Sequence, residues 1–277
     1  MQINALTPHL GAEITQVDSK DPSCQKDLLA ALSQYGVIVL RDQQLTPEQQ
    51  IAMAKGFGEI NVNRFFKAHP EHAEIATVIK TADQTTAIGE AWHTDHSYDQ
   101  MPAAFSMLYA KQVPACGGDT LFASTGAAYD HLSPTMQSFL LSLRAQHSSR
   151  HAFGVSQIEH ESYQDGRLSN PQLATQDACH PVVIKHPLSG RPCIYVNPDF
   201  TTHIEGLHEK ESEALLAMLY AQVLREEHTC RVRWQQNSLT IWDNRATWHK
   251  AMNDYQGQAR EMHRITINGN AVAAYEA

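Results

Sequence analysis

The last two thirds of the chain are a succession of short apolar or alternating runs, each closed by a turn signal, and this limits the fold more than any other feature. The runs cover 105–112, 120–123, 181–185, 193–196, 230–234, 238–242, 248–252 and 262–268. Gly117-Gly118, Ser189-Gly190 and Asp243-Asn244 separate several of them. Runs this short read as strands, because a helix needs a longer stretch of period 3.6. Only four segments read as helices or helix-plus-strand. Asp21 and Pro22 open a helix to about 34, which Gly36 stops before a buried strand over 36–40. Thr46-Pro47-Glu48-Gln49 is a capping box that opens a second helix to about 55. Ser133-Pro134 opens a third to about 143. The segment 209–226 places Leu215, Leu216, Leu219 and Val223 on one face. Many strands with a few peripheral helices predict a mainly β fold, a double-sheet jelly roll or a barrel, either able to enclose a cavity.

No phosphate-binding glycine loop, dinucleotide fingerprint or nucleophile elbow occurs in the sequence, so those enzyme classes lack their required parts. No repeat or linker divides the chain, and residues 1–277 are read as one domain. A net charge of −9 argues against nucleic acid and anionic membranes as partners. No apolar stretch approaches the ~20 residues of a membrane span, and the N-terminus does not read as a signal peptide. Five scattered cysteines without a CxxC suit reduced thiols in the cytoplasm. Cys116 is expected as a small buried residue and Trp92, Trp242 and Trp248 as core. An assembly of two or four copies is also expected.

The densest polar cluster is WHTDHSYD, 92–99. Residues i and i+2 of an extended segment face the same way, so His93 and Asp95 can converge on one point. Two histidines and one carboxylate on one face of an octahedron form the set used by non-haem Fe(II) oxygenases, with three positions left open. The missing histidine fits His249, in WDNRATWHKA just after a strand and turn. Arg260 and Arg264 share one face of the last strand. Two guanidiniums inside a barrel need anions to meet them, unless the strand is an exposed edge.

With WHTD (92–95), GGDTLF (117–122), HPLSGRPCIYVNPDFTTHIEGL (186–207), EKESEALL (209–216), IWDNRATWH (241–249) and MHRITI (262–267), essentially the whole chain resembles the taurine dioxygenase and 2,4-dichlorophenoxyacetate dioxygenase family of Fe(II)- and 2-oxoglutarate-dependent oxygenases. The resemblance implies a double-stranded β-helix with the helices outside. It implies that His93, Asp95 and His249 bind Fe(II). Arg260 would clasp the far carboxylate of 2-oxoglutarate, and Thr120 would hydrogen-bond that cosubstrate. Arg264 would take a small anionic substrate, and Phe200 and Phe153 would line its pocket. The implied reaction uses O2, releases succinate and CO2, and hydroxylates a sulfonate, sulfate ester or carboxylate; with Asp95 present, hydroxylation is favoured over halogenation. A non-catalytic, cupin-like metal or anion binder is the alternative.

Three departures from the taurine enzyme stand out. Gly89 replaces an asparagine, the stretch 63–66 lacks a histidine, and His96 follows Asp95 where a small apolar residue is usual. On an extended segment His96 would face away from the metal, as a surface or pocket-wall residue. These changes disfavour taurine itself and suit an anion with a larger apolar body beside Phe65, Phe66 and Phe200.

Overall fold

The computed structural model describes residues 1–276. Sixteen strands follow in order: β1 Gln2–Ala5, β2 Ala12–Thr15, β3 Val37–Leu40, β4 Ile60–Asn61, β5 Ala76–Lys80, β6 Phe105–Gln112, β7 Thr120–Ser124, β8 Arg144–Ser148, β9 Asp177–Pro181, β10 Val183–Lys185, β11 Pro192–Ile194, β12 Thr201–Ile204, β13 Thr229–Val232, β14 Leu239–Asp243, β15 Thr247–Ala251 and β16 Arg260–Ile267. The α-helices are α1 Gln25–Tyr35, α2 Pro47–Phe57, α3 Thr125–Asp130, α4 Pro134–Leu140, α5 Arg150–Phe153, α6 Glu161–Gln164 and α7 Glu209–Val223.

The main sheet runs β1-β2-β3-β14-β6-β16-β4, with β5 also paired to β16. Only β2 and β3 pair in parallel within it. Opposite lies the sheet β13-β7-β15, extended by the smaller sheets β12-β8-β9 and β10-β11. Alternation along the central strands sets the layers. Ile38, Leu40, Met107, Tyr109, Leu239, Ile241, Ile265 and Ile267 pack with Leu28 and Leu32 of α1 and Ile51 and Ala54 of α2. Their neighbours Val37, Val39, Leu108, Ala110, Trp242 and Met262 turn the other way, onto Phe122, Cys230 and Val232 of the facing sheet. The main sheet is thus covered on both sides, which is why its strands read as continuous apolar runs. The result is a jelly roll, one of the two architectures that the strand spacing allows and the one that the family resemblance implies.

The capping signals hold. Thr46 and Gln49 make both bonds of the capping box. Gly36 sits at φ 69 and returns its N–H to Leu32, a left-handed turn that favours glycine and sends the chain into β3. Helix α7 buries Leu216, Leu219 and Val223, leaving Leu215 half-covered. It ends at Val223, and Glu226–His228 forms a separate 3-10 turn. Helix α4 ends at Leu140 rather than near 143. Cys116 corrects the expectation of burial: it is exposed on the loop between β6 and β7. Of the tryptophans, Trp242 and Trp248 are buried, whereas Trp92 only rests against the core around α7. All five cysteines are free thiols. Among the described residues no helix is long and apolar enough to cross a membrane.

Candidate active site

The metal-binding candidates are brought together by backbone pairing. His93 and His249 form an isolated antiparallel bridge, with N–H donors to each other's carbonyls at 3.1 and 2.8 Å. Directly opposed residues project to one side, and the two imidazole centroids lie 4.1 Å apart. Asp95 opens the turn that follows and returns its carboxylate between them. Its Oδ1 is 3.7 Å from His93 Nε2 and its Oδ2 3.8 Å from His249 Nε2. One ligand atom from each of the three residues lies within 4.8 Å of the others, and all three residues are buried.

The donor set fits a metal ion. His93 Nδ1 lies 2.8 Å from the Ala91 carbonyl, which can only accept, so Nδ1 carries a hydrogen and Nε2 is the nitrogen turned toward Asp95 as the candidate ligand. Burial, reinforced by His93, holds the His249 ring well below its ordinary pKa and therefore neutral, as a ligand must be. Burial works against a charge on Asp95. The Arg264 guanidinium outweighs it and keeps the carboxyl ionised far below the usual range. Two imidazoles and one carboxylate on a common face leave the opposite positions open, the arrangement suited to non-haem iron.

Both predicted arginines point inward from β16, and they differ in what they meet. Arg264 Nη2 donates to Asp95 Oδ1 at 2.6 Å, and its guanidinium stands 5.1 Å from the Phe66 ring centre. Arg260 is buried, with Nε and Nη2 lacking any partner among the described residues. Burial draws its pKa down, and its guanidinium lies over the Trp234 ring, 5.7 Å from the centre. Trp234 Nε1 donates to Thr120 Oγ1 at 3.0 Å, which leaves the Thr120 hydroxyl hydrogen free to serve another acceptor. A buried guanidinium with unspent donors marks a place for an anion.

His93, Asp95, His249, Thr120, Arg260 and Arg264 line a single cavity of about 430 Å³. Phe200 and Phe153 line it too, so every site residue expected from the sequence falls on one cavity. Phe153, on the short helix α5, stacks on Phe65 at 4.6 Å and on Phe200 at 5.9 Å. Tyr98 meets Phe200 edge-on at 4.9 Å. Asn197 fixes Phe200 by accepting its N–H at 2.9 Å and ties that turn to the ligand loop by donating to Ser97 Oγ at 2.9 Å.

The departures acquire physical reasons. Gly89 has φ 85, and a Cβ there would touch His93 Cε1 at 3.4 Å, so the backbone conformation favours glycine over a polar side chain. His96 does not continue an extended segment. It takes φ 57, is buried, and directs Nδ1 to Asp99 Oδ2 at 3.0 Å, while Arg64 holds the same carboxylate. It belongs to the pocket wall. Sequence reasoning overlooked Tyr98, although it lies in the cluster, and Ser106, which donates to Asp95 Oδ2 at 2.6 Å. It also overlooked the buried pair of Asp243 with Arg245 and His186, which braces the turn before β15.

A jelly roll with two histidines, one carboxylate and two inward arginines around one cavity defines a non-haem metal oxygenase class. The model of the family described as "Taurine catabolism dioxygenase TauD, TfdA family" matches residues 2–266. The chain belongs to this family of Fe(II)- and 2-oxoglutarate-dependent dioxygenases. An alpha-ketoglutarate-dependent sulfonate dioxygenase of Saccharomyces cerevisiae is 33% identical over 96% of this chain, which spans 66% of that protein's length. An alkylsulfatase of Acinetobacter baylyi is 32% identical, with 97% of this chain and 85% of that one covered. A crystal structure of a taurine dioxygenase from Burkholderia xenovorans superposes with a TM-score of 0.83 at 31% identity, over 99% of this chain and 91% of that one.

Proposed function

We propose that this dioxygenase hydroxylates a small organic anion, a sulfonate, sulfate ester or carboxylate, at a carbon carried by an apolar body. The observation that carries the reading is the division of labour between the two arginines. Arg260 has unspent donors beside Thr120, and Arg264 stands at the metal-facing carboxylate with Phe66 under it.

His93, Asp95 and His249 would hold Fe(II). Bound there with 2-oxoglutarate, the iron supplies O2 activation coupled to oxidative decarboxylation of the cosubstrate to succinate and CO2. Arg260 pairs with the far carboxylate of 2-oxoglutarate, and Thr120 donates its free hydroxyl hydrogen to the same molecule. Arg264 takes the anionic head of the substrate. Phe66, Phe153 and Phe200 exclude water and align the carbon to be attacked. Hydroxylation of a carbon that bears sulfate or an ether oxygen leaves a product that collapses to an aldehyde or ketone. The volume of the cavity, about 430 Å³, and its aromatic wall support a body larger than that of taurine.

The enzyme would work in the cytoplasm as a homodimer or homotetramer, for which light scattering at micromolar concentration gives the copy number. The decisive assay is consumption of 2-oxoglutarate and O2 against alkyl and aryl sulfates, sulfonates and aryloxyalkanoates. One class is expected to release stoichiometric succinate with Fe(II) present. Metal binding with no 2-oxoglutarate consumption for any class would refute the proposal.

A further inference from the structure

Asp95 is held from behind by a hydrogen-bond chain whose direction chemistry fixes. Trp242 Nε1 donates to Asn244 Oδ1 at 2.9 Å. An indole N–H can only donate, so the Asn244 amide cannot be turned round. Its Nδ2 must then be the group that faces Ser106 Oγ, at 3.1 Å. Ser106 accepts from Asn244, and its own hydrogen is left for Asp95 Oδ2, 2.6 Å away. The backbone carbonyl of Asn244 accepts from the hydroxyl of Thr94, the residue before Asp95. Ser106 is fully buried, Asn244 and Trp242 almost so, and water does not compete.

We propose that Ser106 is a positioning residue for the metal-binding carboxylate, set by the relay Trp242–Asn244–Ser106. The relay gives Oδ2 one oriented donor and so fixes the rotation of Asp95 about its side-chain bonds. A carboxylate held in this way presents a defined oxygen to the metal and does not swing to fill a position that cosubstrate must occupy. Outer donors of this kind orient a ligand and fix its basicity. The side chains of the relay are uncharged, so it adds no second cation beside Arg264. This inference rests on His93, Asp95 and His249 being the ligands.

The test is Fe(II) affinity of the full chain, measured without oxygen by competition against a chelator, with a thermal melt as the fold control. Ser106→Ala is expected to weaken Fe(II) binding by about ten- to a hundredfold while keeping a cooperative melt. Ser106→Thr, which keeps the hydroxyl, is expected to stay close to the unaltered chain. Trp242→Phe, which removes the N–H but keeps an aromatic ring, is expected to weaken binding by a smaller factor. Unchanged affinity in Ser106→Ala overturns the proposal, and so do equal losses in the alanine and threonine variants, because space and not the hydroxyl would then matter. Loss in Ser106→Ala with none in Trp242→Phe overturns the relay. His93→Ala is the reference: retained stoichiometric Fe(II) there removes the ligand assignment itself, whereas loss there with an unaffected Ser106→Ala removes only the positioning role.

Discussion

At the scale of single residues, Arg260 and Arg264 make opposite predictions from the same side-chain type. Arg260 is buried with donors unspent, so in the ligand-free protein it costs stability rather than adding it. Arg260→Leu is expected to keep or raise the melting temperature of the ligand-free chain and to abolish the stabilisation that 2-oxoglutarate gives; calorimetric melts with and without cosubstrate decide this. Arg264→Ala is expected to spare 2-oxoglutarate binding and to raise the KM for the anionic substrate by roughly ten- to a hundredfold, the loss of a charged hydrogen bond of about 1.5–3 kcal/mol. An unchanged KM would move the anion site elsewhere. The ligands His93 and Asp95 were legible in the sequence because their spacing is local. Asn244 and Arg64 were not, since they reach Ser106 and Asp99 from 138 and 35 residues away; Ser106, only eleven residues after Asp95, was missed because no spacing rule relates a loop carboxylate to a serine on the next strand.

At the scale of elements, legibility followed polarity in part, since β2 (AEIT) and β5 (ATVIK) carry apolar residues and were still missed as short runs. Strands β3, β6 and β14 read as strands because both faces of the main sheet are covered and most of their residues are apolar, whereas β16 is polar over Arg260–Arg264 and shows its strand character in the alternation of its second half. Strands β8, β9 and β12 carry RAQHS, DACHP and TTHI, with no apolar alternation to find. Their histidines His147 and His180 are buried inside. Two loops at the cavity mouth are joined by a clasp that was equally hidden. Glu161 on α6 accepts from Thr86 N at 2.8 Å and Thr86 Oγ1 at 2.6 Å, and Arg167 donates to the Thr86 carbonyl at 2.7 Å. Hydrogen bonds hold the Glu161 carboxyl down at about 2. Glu161→Ala is expected to speed amide exchange across 84–91 by about tenfold, with α1 and β3 unaffected. Equal exchange in both proteins would show the loops to be held by other contacts. In α7, Leu219→Ala should cost about 2–5 kcal/mol, read from urea unfolding, because the side chain is fully buried against the smaller sheets.

At the scale of the whole molecule, buried neutral histidines set the response to acid. Burial, with His180 beside it, pushes the His147 ring down to about 3. Burial likewise pushes His263 down to about 4 and lowers His249. The unfolded chain takes up these protons near pH 6.5 while the folded chain does not. Their contribution is therefore complete above about pH 6.5 and is lost as pH falls towards the folded values. The metal-free protein is expected to melt at a clearly lower temperature at pH 5 than at pH 7.5, and His147→Gln to show a smaller drop. An equal drop in both would place the acid sensitivity elsewhere. Asp95 and Asp243, both held low by ion pairs that outweigh burial, add their loss only below the ordinary carboxylate range.

One cavity would hold Fe(II) on His93, Asp95 and His249 with 2-oxoglutarate clasped by Arg260, and anaerobic titration of the protein with Fe(II) and then 2-oxoglutarate decides whether it does. A weak visible charge-transfer band is expected at one equivalent of each, absent in His93→Ala and His249→Ala, with a shift of that band on adding an anion of the substrate class. Stoichiometric metal with no band in the unaltered protein, or a full band in either histidine variant, would contradict this arrangement.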